Sequence, residues 1–338
     1  MSNKVGVFSS NPYDESSLSA QVSDDIELQF FTAKLDLQTV PICQDLDAVC
    51  AFVNDEINED VIKILAQYGV SHIAMRCAGY NNVDVDAAKK HHIAISRVPS
   101  YGPEAVAEHA VALMLTLNRR MHKAYNRVRD GNFNLDGLLG FNMAGKTVGI
   151  VGSGHIGQAT AKILLGFGCR VLCVDPYPNK ELIDAGVHYV DMATLLTESH
   201  IISLHCPLNN DSYHLINPTT IAQMRDGVML INTSRGGLMD TQALISGLKS
   251  HKIGYLGLDV YEMESELFFK DHSFEIIQDD VFERLSSFHN VLITGHQGFF
   301  TQEALGQIAA TTLSNIASWA NGTANDTNFL VLPEKTSG

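Results

Sequence analysis

The chain has 338 residues, 45% hydrophobic and 18% charged, the composition of a soluble globular protein with room for two domains. Its net charge of −15 argues against nucleic acid or an anionic membrane as the main partner, and no apolar run reaches the length of a membrane span. Cys43, Cys50, Cys77, Cys169, Cys173 and Cys206 form no C-x-x-C pair, and the first residues run straight into a strand. Together these features imply reduced thiols in a cytoplasmic protein.

Residues 4–8 begin a strand, and 26–31 and 48–53 read as two more. Val61, Ile64, Leu65 and Tyr68 have helical spacing over 59–68; a strand at 71–75, a helix at 83–90 and a strand at 93–96 follow. This alternation predicts a small parallel α/β unit. Arg76-Cys77-Ala78-Gly79-Tyr80 ends one of its strands, and small residues there let backbone N–H groups face a ligand.

Pro99 to Pro103 marks a boundary, with Pro103 suited to the first turn of a helix. One long helix is predicted over 104–129, burying Val106, Ala110, Leu113, Met114 and Leu117. Arg119, Arg120, Lys123, Arg127 and Arg129 lie toward its C-terminus, where cations complement the helix dipole. His109 and His122 read as ordinary helix histidines.

The run Thr147-Val-Gly-Ile-Val-Gly-Ser-Gly-His-Ile-Gly157 then reads as a buried strand, a glycine turn and a helix. Gly152, Gly154 and Gly157 fit G-x-G-x-x-G: a tight turn, a close backbone approach to a pyrophosphate, and close packing of helix on strand. The helix N-terminus offers free N–H groups to phosphate oxygens. A second strand, 170–174, leads into Asp175, near the spacing at which an acid meets the ribose hydroxyls. A carboxylate there accepts from the 2′-OH of NAD and repels the 2′-phosphate of NADP. Pro176-Tyr177-Pro178 holds no Arg to receive that phosphate.

Further strands are read near 187–190, 200–204, 228–232, 254–258 and 290–293, and a helix near 301–320 with Thr301 as N-cap. The tail from Asn321 shows little periodicity. Three apolar runs stop at polar residues: Asn232-Thr-Ser-Arg235-Gly-Gly, Leu258-Asp259-Val-Tyr-Glu262-Met-Glu264, and Thr294-Gly-His296-Gln. Alone, each is most often a solvated or structural residue. Together they deliver a guanidinium, a carboxylate and an imidazole to one sheet edge. In a chain this acidic, an anionic substrate needs such a local cation. Reduction of a 2-keto acid uses all three: Arg235 to hold the carboxylate, His296 to donate a proton, and an acid beside His296 to stabilise imidazolium. Glu264 is the acid chosen, with Glu262 and Glu266 as local rivals.

Val151–Gly157, Ser203–Leu208, Asn232–Gly237, Leu258–Glu262 and Thr294–Gln297 resemble the motifs of the D-isomer-specific 2-hydroxyacid dehydrogenases. Within that family they resemble the fermentative D-lactate dehydrogenase group. The resemblance spans essentially the whole chain. It implies two doubly wound parallel-sheet α/β domains. A Rossmann NAD-binding domain, 101–298, is inserted in a smaller flavodoxin-like substrate domain, 1–100 plus 299–338. It implies Arg235, Glu264 and His296 as the catalytic three, no metal, and NAD contacts at His155, Ile156, Asp175, Cys206, Pro207, Thr233, Ser234 and Asp259 besides the glycines. Ala78 and Gly79 resemble a backbone cradle for the substrate carboxylate, Tyr101 and Phe299 match pocket positions, and Phe52 walls the side-chain end.

The long segment between Glu264 and His296, with Leu267-Phe-Phe-Lys270 and Ile277-Gln-Asp-Asp280, resembles the lactate group. Bulky Phe52 and Phe299 favour a methyl group, hence pyruvate. Gly298 stands where relatives more usually carry Ala, which would loosen the hinge or the placement of Phe299. The family implies a homo-oligomer, a dimer or tetramer. Two alternatives stay open: a dehydrogenase for larger 2-keto acids of the hydroxyisocaproate type, and an NAD-sensing protein like the corepressors that resemble this family.

Overall fold

The computed structural model describes residues 2–264, 267–269, 271–325 and 327–333. They fall into two compact units, 1–102 with 300–338, and 103–299. The first unit contains β1 (Asn3–Val7), β2 (Ile26–Phe30), β3 (Ala48–Ala51), β4 (His72–Met75) and β5 (Ala94–Ser96). They lie in the order β2-β1-β3-β4-β5, all parallel. This is the flavodoxin-like order. Val5, Val7, Ile73, Met75 and Ile95 are fully buried, as expected of strands covered on both faces.

Helix Gln302–Ala320 belongs to this unit although it comes from the far end of the chain. Thr301 caps it by accepting from the Ala304 N–H. Its Ala309, Leu313 and Ile316 pack with Val5, Val7, Ala48, Cys50 and Ala74. Each fully buried large aliphatic contributes about 1.5–3 kcal/mol. The tail, without periodicity in sequence, forms a short strand, Phe329–Val331, antiparallel to β5. Its pairing is made by backbone, and Phe329 stacks on the His72 ring at 5.5 Å. Burial pushes the His72 pKa down to about 3, and its Nε2 lies 2.8 Å from Ser96 Oγ.

The second unit holds β6 (Thr147–Val151), β7 (Arg170–Val174), β8 (His188–Tyr189), β9 (Ile201–Leu204), β10 (Val228–Asn232), β11 (Ile253–Leu258) and β12 (Val291–Ile293). Their order is β8-β7-β6-β9-β10-β11-β12, parallel throughout. The order reverses between β6 and β9, the switch point at which open α/β sheets bind ligands. The register is level there: Val151 pairs with Val174 and Leu204, Asn232 with Leu204 and Leu258, and Leu258 with Ile293. One residue beyond that row stand Gly152, Asp175, His205, Thr233, Asp259 and Thr294.

The single helix predicted over 104–129 is two, Pro103–Arg119 and Met121–Arg129. Arg120 between them is left-handed, with φ 49°. The first helix buries Leu113, Met114 and Leu117, whereas the second buries nothing. Asn118 ends the first by a two-way hydrogen bond with Phe141: Nδ2 donates to the carbonyl at 2.7 Å and Oδ1 accepts from the N–H at 2.8 Å. Once apolar contact with the sheet stops, nothing rewards continuing the same helix axis. No helix among the described residues is long and apolar enough to cross a membrane.

Candidate active site

The three glycines after β6 face three different surroundings. A Cβ on Gly152, where φ is 96°, would meet the His205 carbonyl at 2.7 Å. A Cβ on Gly157 would lie 2.0 Å from the Gly152 carbonyl oxygen. A Cβ on Gly154 would meet nothing within 4 Å. Gly157 therefore lets the helix pack on the β6 turn, Gly152 lets that turn approach the chain leaving β9, and the middle one borders open space. Helix His155–Gly166 starts there with no side-chain cap. Its first N–H groups, at His155, Ile156 and Gly157, are of the kind that bind phosphate.

Asp175 follows β7 and accepts from the Ser153 N–H at 2.6 Å and the Tyr177 N–H at 2.8 Å. Burial alone would raise its pKa, but these backbone donors outweigh it and hold the carboxyl below its usual value. Cys206 and Pro207 follow β9. Burial pushes the Cys206 thiol up to about 11, so it presents a neutral surface and no nucleophile. Thr233 is buried, and its hydroxyl finds no partner among the described residues. An open glycine, uncapped helix N–H groups, an ionised acid and an orphaned hydroxyl around the switch point suit a dinucleotide.

The turn after β10 is tightly determined. Ser234 Oγ donates to the Leu204 carbonyl at 2.9 Å, and Asn232 Nδ2 donates to the Arg235 carbonyl at 2.9 Å. A Cβ on Gly236 would lie 2.1 Å from the Tyr261 carbonyl carbon, so the turn is pressed against the chain leading to Glu264. Arg235 Nη1 donates to the Ser234 carbonyl at 2.7 Å. Among the described residues no carboxylate forms an ion pair with Arg235, which leaves its fork for a bound anion.

Glu264 and His296 meet: Oε1 lies 3.0 Å from Nδ1, with side chains 23% and 18% exposed. Glu264 Oε2 accepts from the Tyr261 N–H at 3.0 Å, which orients the carboxylate. With Nδ1 turned to Glu264, Nε2 is the nitrogen left for a substrate. The rival Glu262 is engaged elsewhere, 2.7 Å from His214 Nε2 and bonded to Thr241 Oγ1 at 3.1 Å. Glu266 lies outside the described residues. The Phe269 ring sits 5.8 Å from that of His296, a contact that the sequence did not signal.

His296 is itself left-handed, with φ 55°. Such a conformation costs a non-glycine residue on the order of 1 kcal/mol and is kept only where the surroundings enforce it. Its N–H donates to the Asp259 carbonyl at 2.8 Å and approaches that of Thr294 at 3.1 Å. The Asp259 side chain is buried and fully engaged: Oδ1 accepts from the Thr294 hydroxyl at 2.5 Å and the Gln297 N–H at 2.9 Å, and Oδ2 from the Gly298 N–H at 2.7 Å. Burial would raise its pKa, but His109, Thr294 and the Gln297 N–H hold it below the usual value. His109 is no ordinary helix histidine: its Nε2 is 3.0 Å from Thr294 Oγ1 and 3.2 Å from Asp259 Oδ1. A Cβ on Gly298 would come within 2.9 Å of Asp259 Oδ2, so glycine makes room for this network. Phe299, next in the chain, is buried.

The remaining expected residues lie in the first unit. Ala78 and Gly79 follow β4 in a turn held by Arg97, whose Nη1 donates to the Ala78 carbonyl at 3.0 Å, and by the Cys77 thiol on the Gly79 carbonyl. Phe52 follows β3; its N–H donates to Asp55 at 2.6 Å, and the buried Arg76 guanidinium covers its ring at 4.8 Å. Tyr101 is half-buried in the bend before helix Pro103–Arg119.

The model of the D-isomer-specific 2-hydroxyacid dehydrogenase NAD-binding domain matches residues 111–298. The chain is 53% identical over 321 residues to a D-lactate dehydrogenase of Escherichia coli (strain K12), covering 94% of this chain and 97% of that one. Among solved structures it resembles the pyruvate reductase of Chlamydomonas reinhardtii, at TM-score 0.92 and 43% identity over 96% of this chain and 98% of that one. It also resembles a D-lactate dehydrogenase of Aquifex aeolicus solved with NAD and lactic acid, at TM-score 0.86 and 32% identity over 98% and 100%. The cofactor is NAD, and the chain belongs to the D-isomer-specific 2-hydroxyacid dehydrogenase family of NAD-dependent oxidoreductases.

Proposed function

We propose that this protein is a D-lactate dehydrogenase that reduces pyruvate to D-lactate with NADH. The observation that carries this is the Glu264–His296 pair at 3.0 Å, in the same unit as an Arg235 with no ion-pair partner among the described residues. When bound, NADH supplies the hydride. Arg235 holds the substrate carboxylate by its fork and draws charge from the ketone oxygen. His296 gives that oxygen a proton from Nε2, while Glu264 holds the ring through Nδ1. Asp175 selects NAD over NADP by repelling a 2′-phosphate. For NAD we further propose contacts at Gly152, Gly154, His155, Ile156, Gly157, Cys206, Pro207, Thr233, Ser234 and Asp259. For the substrate we propose contacts at Phe52, Ala78, Gly79, Tyr101 and Phe299 as well.

We also propose a homo-oligomer. In support, Phe133, Leu135 and Leu139 are 74%, 78% and 88% exposed within one short stretch of chain. Light scattering on the purified protein measures its state.

The deciding experiment is NADH oxidation against a panel of 2-keto acids, with chiral analysis of the product. Pyruvate is expected to give the highest kcat/KM and D-lactate. A clear preference for 2-ketoisocaproate assigns the larger-acid alternative. Absence of any keto-acid-dependent oxidation refutes the enzyme and favours the NAD-sensing alternative.

A further inference from the structure

We infer that His109, on helix Pro103–Arg119, is a positioning residue for the reaction, acting on His296 through Thr294 and Asp259. It has this role only if His296 is the proton donor proposed above.

The chain of contacts is continuous. The Thr294 hydroxyl donates to Asp259 Oδ1, so its oxygen is free to accept. His109 Nε2 faces both that oxygen, at 3.0 Å, and Asp259 Oδ1, at 3.2 Å. Both are acceptors toward it, so Nε2 carries a hydrogen and His109 donates. Asp259 in turn receives the N–H groups of Gln297 and Gly298, the two residues after His296. Its own carbonyl receives the N–H of His296. Every backbone donor from 296 to 298 therefore ends on Asp259. The His296 segment is a left-handed turn wound around one buried carboxylate.

A carboxylate that is 1% exposed needs donors on every side to stay ionised and fixed. Among the described residues, His109 and Thr294 are its two side-chain donors. His109 comes from a helix whose next turns are buried against the sheet, so it brings the rigidity of the core to a turn that has little of its own. Glu264 orients the His296 ring from one side, and the His109 network fixes the backbone that carries the ring. Proton donation demands both, because a small displacement of the donor lengthens its reach to the substrate oxygen. Gly298 fits the same design: a Cβ there would press on Asp259 Oδ2 and come within 3.5 Å of His109 Cδ2.

The test compares His109→Ala, His109→Gln and Thr294→Val with the wild-type protein. A glutamine amide places a donor near the former Nε2, and valine keeps the shape of threonine without its hydroxyl. His109→Ala and Thr294→Val are expected to lower kcat about 10- to 100-fold with the KM for NADH within about threefold, and His109→Gln to retain most of kcat. Hydrogen exchange of the 294–299 amides is read in parallel and is expected to quicken in His109→Ala and Thr294→Val only. Unchanged kcat and exchange in both variants overturn the inference, as does a His109→Gln as slow as His109→Ala. If His109→Ala does not fold, Thr294→Val decides alone. If the wild-type protein reduces no 2-keto acid, the proposed reaction fails while the exchange rates still decide whether His109 holds the turn.

Discussion

Gly154 and Gly157 belong to one motif, yet the structure separates their jobs, and alanine at each should report a different quantity. At Gly157 an added Cβ would sit 2.0 Å from a backbone oxygen, at the point where helix His155–Gly166 leaves the β6 turn. No side chain can swing away, so helix and turn must part; overpacking of this kind costs about 1–3 kcal/mol, and backbone contact places it at the upper end. At Gly154 the backbone has φ −63° and ψ −174°, which alanine adopts freely, and the added carbon meets nothing within 4 Å. Alanine is a poorer N-cap than glycine, but it restrains the unfolded chain, and the two effects leave stability within about 1 kcal/mol of wild type. The open space is where we expect the cofactor phosphates, so the same methyl should raise the Kd for NADH at least about tenfold, or about 1.4 kcal/mol. Urea unfolding without cofactor measures the first quantity and fluorescence titration with NADH the second. A Gly154→Ala protein that binds NADH as tightly as wild type, or unfolds as easily as Gly157→Ala, would refute the division of labour.

Arg235→Lys should cut kcat/KM for pyruvate by about 100-fold or more, because an ammonium cannot make the two parallel bonds of a guanidinium; near-normal turnover would remove Arg235 from its role. Glu264→Gln keeps a hydrogen-bond acceptor for His296 but removes the carboxylate that orients its ring, so kcat for pyruvate should fall about 10-fold or more, and near-normal turnover counts against the pair. Asp175→Ala should narrow the preference for NADH over NADPH, measured as the ratio of kcat/KM values; a variant still strictly selective contradicts the charge repulsion. His72 is buried neutral with its pKa pushed from 6.5 down to about 3, so above pH 6.5 it leaves stability unaffected. Below pH 6.5 the unfolded chain takes a proton that the folded chain refuses, and stability falls by about 2 kcal/mol at pH 5. His72→Gln should therefore lose less stability between pH 7 and pH 5 in urea titrations, and an identical loss in both proteins would show that His72 is not the group responsible.

What the sequence revealed and what it hid differ by the range of the contacts involved. The glycine turn, the strand ends at Asp175, Arg235 and His296, and the cap at Thr301 are local patterns, each set by a few neighbouring residues. The break at Arg120 is not local: it depends on Asn118 meeting Phe141, and the polar residues that follow still keep helical spacing. Strand Phe329–Val331 is invisible to periodicity because backbone pairing with β5 holds it. His109 has no local signal at all, since its partners Thr294 and Asp259 lie at the ends of two other strands. The choice of Glu264 over Glu262 was already open to the sequence, and the fold adds the physical reason, since Glu262 is committed to His214 and Thr241.

The edge formed one residue beyond the level row of β6, β7, β9, β10, β11 and β12 holds polar groups of two kinds, and hydrogen-bond accounting tells them apart. Asp259 is saturated by the protein, with three hydrogen bonds and the His109 contact gathered on two buried oxygens. Leaving any of those donors unpaired would cost about 1–3 kcal/mol, so Asp259 is anchored whether or not a ligand is present. Thr233 has a buried hydroxyl with no partner among the described residues, and Gly154 borders empty space. An orphaned buried polar group is a debt that the folded chain carries until a ligand arrives. Binding can recover that energy at Thr233, whereas at Asp259, already engaged within the protein, a cofactor contact has less to recover. The sequence motif placed both residues at the cofactor edge without distinguishing them. Their hydrogen-bond states do: we propose that Thr233 meets the cofactor directly, and that the main influence of Asp259 on the proposed chemistry runs through the backbone of His296.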